Sequence, residues 1–176
     1  MRRTLHLMGI LNDLDVEWLV SHGSTESVKS GTVLITEGQP IESLYILLDG
    51  TLAVRTGAAP VQELAVLYSG EVVGEISFVD SSPPSASVVA VRDSHLLTIQ
   101  RTLLAEKLLI DTGFAARFYK AIANFLASRL RATTGRFGYG KHQEVLDPDE
   151  LDDESMDNIS LARSRFDDML KRLRVN

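Results

Sequence analysis

The sequence predicts an α+β fold in which about eight short strands form a β-sandwich or barrel between helical ends. Between Thr25 and Gln100, runs rich in Val, Ile, Leu and Thr alternate with glycines at roughly 8–12 residue spacing, which is typical of such folds. On both sides of this region, apolar residues recur at helical spacing. The 176 residues, 44% of them hydrophobic, are enough for one domain with a core and an appendage.

The first helix is predicted over residues 13–22, DLDVEWLVSH, with Asp13 as its cap and Val16, Leu19 and Val20 on one face. The eight strands are predicted in SVKSG, TVLITEG, SLYILLDG, TLAVRTG, VQELAVLYSG, EVVGE, SASVVAVRD and SHLLTIQ. Glycines mark the corners, where a positive φ or a close approach of the backbone is expected. They are Gly31, Gly38, Gly50, Gly57, Gly70 and Gly74. Because Asp49-Gly50 suits a two-residue turn, LLDGTLAV is predicted to form a hairpin.

Two more helices follow, one over residues 101–109 and a long one over residues 113–134. The long helix carries two neighbouring apolar stripes. The first contains Phe114, Phe118, Ile122, Phe125 and Leu130, and the second contains Ala115, Tyr119, Ala123 and Leu126. Because one contact surface would not cover so wide an apolar arc, we expect the helix to contact both its own sheet and a partner helix.

The C-terminal part divides into a linker and a helix. Gly135 is predicted to end the long helix, and residues 135–157 form a glycine-containing, then acidic linker with seven acidic residues between positions 147 and 157. We expect this stretch to be solvated and mobile. Residues 158–174 form an amphipathic helix, with Asp157 as its cap, that should dock on another surface because a lone helix of this length is marginal in water.

Composition excludes several classes of protein. The net charge of −6 is concentrated in the tail, and no segment has the basic excess of a nucleic-acid surface. The absence of cysteine excludes disulfides and zinc–thiolate sites, and the four histidines match no metal spacing, which argues against a metal enzyme on a cupin-like barrel. GRFGYGK matches G-x-x-x-x-G-K but follows a helix and lacks the Ser or Thr, so it is not predicted to be a P-loop. No long apolar run or secretory signal is present, so we expect a cytoplasmic protein. The sequence shows no nucleophile elbow and suggests no Ser–His pairing, so we do not expect an enzyme.

The stretch GEISFVDSSPPSASV, residues 74–88, is the candidate binding site. Gly74-Glu75 precedes a short turn, Ile76-Ser77-Phe78. A glutamate there can accept hydrogen bonds from vicinal sugar hydroxyls, and the N–H groups of the turn can donate to an anion. On Gly74-Glu75 alone, a surface glutamate beside a turn glycine is the favoured interpretation.

The order of parts resembles the cyclic nucleotide-binding domain family over about residues 8–134. GTVLITEGQPIESLYILLDGTLAV matches the family's glycine and apolar pattern. The resemblance implies a jelly-roll-like β-roll of about residues 25–100 within a domain of residues 1–134, followed by the linker and a C-terminal helix of residues 158–176. It also implies a phosphate-binding cassette made of Gly74, Glu75, Ile76 and Ser77, then Pro83, Pro84, Ser85, Ala86 and Ser87. Pro84 stands where the family has the arginine that pairs with the cyclic phosphate.

The resemblance implies a regulatory or sensor module with cyclic AMP or cyclic GMP as candidate ligands. Glu75 would hold the ribose, and Ser85, Ser87 and the turn backbone would hold the phosphate. The family pairs through the long helix, so a homodimer through residues 113–134 is expected. The roughly 40 residues after that helix do not accommodate the family's helix-turn-helix, so DNA binding is not expected. The alternative is a degenerate, ligand-independent scaffold that recruits a partner protein through its C-terminal helix.

Overall fold

The computed structural model describes residues 6–57, 61–136 and 153–174, which form eight strands and six helices. In chain order they are α1 (His6–Ile10), α2 (Asp13–His22), β1 (Ser24–Val28), β2 (Val33–Ile35), β3 (Ser43–Asp49), β4 (Leu52–Thr56), β5 (Gln62–Leu67), β6 (Val72–Val73), α3 (Glu75–Asp80), β7 (Ser87–Ala90), β8 (Ser94–Gln100), α4 (Arg101–Ile110), α5 (Thr112–Arg136) and α6 (Asp153–Arg174). The predicted α+β fold with a β-roll and a C-terminal helix is confirmed. Helix α1 was not predicted.

The strands form two antiparallel four-stranded sheets with the orders β1-β8-β3-β6 and β2-β7-β4-β5. Side chains of both sheets meet in one core between them, because residues of one face alternate along each strand. This core contains Val28, Ile35, Leu47, Leu52, Leu67, Val73, Val88, Ala90 and Leu96. The opposite face of the first sheet packs against the helices.

The predicted hairpin at Asp49-Gly50 is wrong, because β3 and β4 belong to different sheets. Gly50, with a φ of +117°, lies where the chain crosses from one sheet to the other. A Cβ atom at this position would lie 2.7 Å from Ser94 Cα and would collide with the Ser94 side chain. The positive φ predicted for all six corner glycines is confirmed.

Asn12, and not Asp13, caps helix α2. Asn12 Oδ1 accepts the N–H of Asp15, and Asp15 Oδ2 accepts the N–H of Asn12, both at 2.9 Å. This reciprocal capping box satisfies two backbone donors, and it makes Asp13 the first helical residue.

Helix α5 buries its first predicted stripe. Phe114, Phe118, Ile122 and Phe125 are at most 6% exposed, in a core shared with α1, α2, the first sheet and α6. Leu130 was assigned to the same stripe but is 64% exposed. The helix also continues through Arg136, beyond the end predicted at Gly135.

Helix α6 packs on α1 and α2 of its own chain and buries Ala162, Phe166 and Met169. Arg165 fastens it there by donating to the backbone carbonyls of Met8 and Leu11 at 3.2 and 2.7 Å and to Asp13 at 2.6 Å. The first two acceptors lie at the C-terminal end of α1, where carbonyls lack helical partners. The predicted amphipathic pattern is therefore the inward face of α6, although the helix begins at Asp153 and Asp157 is not its cap.

Most of GRFGYGK and most of the acidic linker lie outside the described residues. Among the helices that the structure describes, none is both long and apolar enough to span a membrane.

Candidate functional site

The cassette begins where strand β6 meets helix α3. Gly74 has a φ of +90°, and a Cβ there would lie 2.8 Å from Ile41 Cδ1 and 3.2 Å from the carbonyl oxygen of Ser43. Conformation and space therefore both favour glycine. The tight turn places Glu75 at the start of α3 with its side chain directed into the protein, where it is 2% exposed.

Glu75 is paired with an arginine from the long helix. Arg129 Nη1 donates to Glu75 Oε1 at 2.7 Å, and Arg129 Nη2 donates to the carbonyl of Val72 at 3.4 Å. The guanidinium also lies 4.2 Å from the ring centroid of Phe125 on the same helix, within range of a cation–π contact. One side chain of α5 is thus tied directly to the ribose-binding position that the family resemblance implies.

The electrostatics at this position involve two carboxylates and one guanidinium. Burial raises the pKa of Glu75, while Arg129 and the backbone N–H groups of Glu75 and Gly74 oppose the rise. Burial also raises the pKa of Glu71, against the N–H of Tyr68 and the charge of Arg129. When both carboxylates are ionised, this group of three carries a net negative charge.

The rest of α3 divides into a buried and an exposed side. Ser77 is 3% exposed, whereas Ile76 is 48% exposed. Phe78 lies edge-on to Phe118 of α5 at 5.9 Å and beneath the Arg101 guanidinium of α4 at 5.6 Å. The first half of the cassette therefore contacts both helices that follow the roll.

The second half of the cassette is held against the loop between β2 and β3. The N–H of Gly38 donates to the carbonyl of Pro84 at 2.8 Å. The N–H of Glu37 donates to Ser87 Oγ at 3.0 Å, so this hydroxyl already has a partner within the protein. Pro83 and Ser85 are exposed, and Pro84 and Ala86 are partly exposed.

Arg55 is the cation that the sheet register brings beside this half of the cassette. It pairs with Ser87 across β4 and β7. Val54 and Val88, the residues next to this pair, both pack in the core between the sheets, and the register of β4 on β5 shifts between Val54 and Arg55. Arg55 contacts Glu63 at 3.5 Å.

Sequence reasoning missed Arg129 as a site residue. A signal was present, since Phe118, Ile122, Phe125 and Arg129 continue one stripe at helical spacing. An arginine on an apolar stripe needs a buried partner, and Glu75 provides it. Within the described residues, no group of three His, Asp or Glu side chains could hold a metal ion.

Comparisons with known proteins agree on one family. The model of the cyclic nucleotide-binding domain matches residues 25–111. The chain is 29% identical to the lysophospholipase NTE1 of Chaetomium globosum over 124 residues, which are 68% of this chain and 7% of that protein. It is 25% identical to the cAMP-activated global transcriptional regulator CRP of Salmonella typhimurium over 129 residues, 72% of this chain and 60% of that protein.

A solved structure supports the same fold. The crystal structure of a cyclic nucleotide-binding domain from Methylobacillus flagellatus has a TM-score of 0.70 and 22% identity, covering 82% of this chain and 85% of that one. The two curated relatives are longer than the matched region, and the chain spans less than two thirds of either.

Proposed function

Because residues 25–111 belong to the cyclic nucleotide-binding domain family, we propose that this chain is a non-catalytic regulatory module. A small molecule that carries a ribose binds the cassette, and its binding moves helix α5. Glu75 accepts a hydrogen bond from a free hydroxyl of the ribose. The observation that carries the proposal is the 2.7 Å ion pair between Glu75 and Arg129, which joins the cassette to α5.

The ion pair provides the coupling. Glu75 is 2% exposed beneath Arg129, so a ribose that reaches its carboxylate must displace or share the guanidinium. The ligand therefore has different affinities for the state with the pair and the state without it, which is what a ligand-driven population shift requires. Loss of the pair frees the end of α5 that Arg129 anchors.

The helices offer a route from α5 to the tail. Helix α5 packs on α1, and α1 packs on α6. A change at α5 would alter the surface on which Phe166 and Met169 of α6 are buried. We propose that the docked and released states of α6 report ligand binding, since release exposes an apolar helix face to a partner protein.

Calorimetric titration of the full chain with cyclic AMP, cyclic GMP, adenosine and guanosine tests the proposed function. Wild type should bind at least one of them, and Glu75→Gln should lose that binding. Asp80→Asn, which changes an exposed carboxylate of the same helix, is the matched control and should keep it. If wild type binds none of the four, the sensor function fails and the ligand-independent scaffold takes its place.

We also propose that the chain forms a homodimer through α5. The second apolar stripe supports this: Tyr119 is 47% exposed, Ala123 is exposed, and Ala115 and Leu126 are partly exposed. Analytical ultracentrifugation should give a dimer for wild type and a monomer for Tyr119→Lys. A monomeric wild type would contradict the proposal. The expected cytoplasmic location stays a prediction that cell fractionation would test.

A further inference from the structure

Resting on the proposed function, we infer that the ligand is an uncharged nucleoside and not a cyclic nucleotide. The inference concerns the same cassette and specifies which chemical class it selects. It depends on two observations about the second half of the cassette, which the family resemblance assigns to the phosphate, and on one about the first half.

The first observation is that the second half of the cassette has no charged donor for a phosphate. Residues 81–88, SSPPSASV, contain no basic side chain. Pro83 and Pro84 have no N–H groups, so two consecutive backbone positions cannot donate. The carbonyl of Pro84 accepts the N–H of Gly38 at 2.8 Å, and Ser87 Oγ accepts the N–H of Glu37 at 3.0 Å. The side-chain donors of this segment are therefore serine hydroxyls, which carry no charge.

The second observation is the sign of the neighbouring charges. The Glu37 carboxylate is held beside the cassette by hydrogen bonds from Thr56 Oγ1 at 3.1 Å and the N–H of Gly57 at 3.2 Å. Arg55, the cation opposite Ser87, contacts Glu63 at 3.5 Å. Within the described residues, a phosphate would therefore lose its hydration near a negative charge, and the cation opposite Ser87 is already paired with Glu63.

The third observation is the excess of carboxylate in the first half. Arg129 contacts Glu75 at 2.7 Å, and its charge also opposes the rise that burial causes in the pKa of Glu71, so two acidic groups interact with one positive charge. This arrangement suits a ligand that brings hydroxyl donors and no negative charge. A nucleoside has free 2′- and 3′-hydroxyls that can donate hydrogen bonds to Glu75. It also has a neutral 5′-hydroxyl that can hydrogen-bond with the exposed Ser85.

The test compares adenosine with cyclic AMP and guanosine with cyclic GMP by titration calorimetry, so that each pair shares its base and its 2′-hydroxyl and differs in the cyclic phosphate, which esterifies the 3′- and 5′-oxygens. Wild type should bind one nucleoside at least about 10-fold more tightly than its cyclic nucleotide, since a hydrogen bond to a charged group accounts for about one to two decades of affinity. Pro84→Arg should strengthen cyclic nucleotide binding by about 10- to 100-fold.

Pro84→Ala is the matched variant, because it removes the proline and adds an N–H without adding a cation. Pro84→Arg should gain at least about 10-fold more affinity for the cyclic nucleotide than Pro84→Ala does. Thermal unfolding of each variant verifies that it folds.

The outcomes separate the two proposals. A cyclic nucleotide that binds wild type as tightly as its nucleoside, with dependence on Glu75, would overturn the ligand class and leave the sensor function standing. If neither class binds wild type, both proposals are overturned. Nucleoside binding that persists in Glu75→Gln would also overturn both, because the ribose would not be held at the carboxylate.

Discussion

Replacing Arg129 by methionine tests the link between the cassette and α5. Methionine keeps most of the apolar stem over Phe125 but leaves Glu75 buried without its counter-ion. Removal of one partner from a buried ion pair costs about 3–5 kcal/mol. Arg129 is 29% exposed, so water can partly replace it, and we expect a loss near the lower end, about 3 kcal/mol in the free energy of unfolding. For a chain of this length that corresponds to a melting temperature lower by roughly 6–12 °C.

The loss of stability in Arg129→Met should depend on pH, because the Glu75 carboxyl that is left without its counter-ion titrates. Burial already raises the pKa of Glu75 above its ordinary value of 4.5, and removing Arg129 removes the main opposing cause. Between the unfolded and the folded pKa, the folded variant holds a proton that the unfolded chain has released. Its stability is therefore retained at and below the unfolded pKa and falls as the pH rises through the folded pKa. The variant should differ least from wild type at about pH 5 and most at about pH 8.

Urea unfolding of wild type and Arg129→Met at both pH values measures this effect. Lys120→Met, an exposed position on the same helix, is the control and should stay within about 0.5 kcal/mol of wild type. In Glu75→Gln/Arg129→Met the difference between the two pH values should become smaller, and what is left should come from Glu71, whose raised pKa Arg129 also opposes. An Arg129→Met variant as stable as wild type at both pH values would refute the reasoning, since Glu75 would then not need its counter-ion.

Two further predictions concern the helices and the sheet crossing. Arg165→Ala should lower the free energy of unfolding by about 1–3 kcal/mol, because it leaves carbonyls at the end of α1 without their donor. Arg163→Ala, on the exposed side of α6, should change it by less than about 0.5 kcal/mol in the same denaturant titration, and equal losses would contradict the capping role. Gly50→Ala should destabilise more than Gly57→Ala in thermal unfolding, since both have positive φ but only the first would collide with Ser94. Similar melting temperatures for the two variants would count against that collision.

The local features of the fold were predictable because they depend on neighbours in sequence. Alternating apolar runs and corner glycines locate all eight strands, since a strand needs only its two-residue period and a turn at each end. The turn residues do not determine which strands pair. Asp49-Gly50 suits a tight turn, yet β3 pairs with β8 and β4 pairs with β7. Turn chemistry therefore predicts that the chain turns but not which strand it meets.

The candidate site was predictable only in its local half. The residues of the cassette are contiguous, and their pattern identifies them. Their partners come from far along the chain: Arg129 reaches Glu75 across 54 positions, and Glu37 reaches Ser87 across 50. Such contacts depend on how the roll closes and where α5 crosses it, and sequence periodicity does not encode this crossing.

The attachment of α6 to α1 also has a kinetic consequence. The hydrogen bonds of Arg165 join residues 152 to 157 positions apart, so this contact closes a loop that contains the whole roll. Contacts between such distant residues form late in folding, because the chain must first lose the entropy of the intervening loop. We expect the roll to acquire structure before the two helices meet, and the α1–α6 junction to open first in hydrogen exchange. The chain would then pass, in folding and in unfolding, through a species that has a formed cassette and a detached tail.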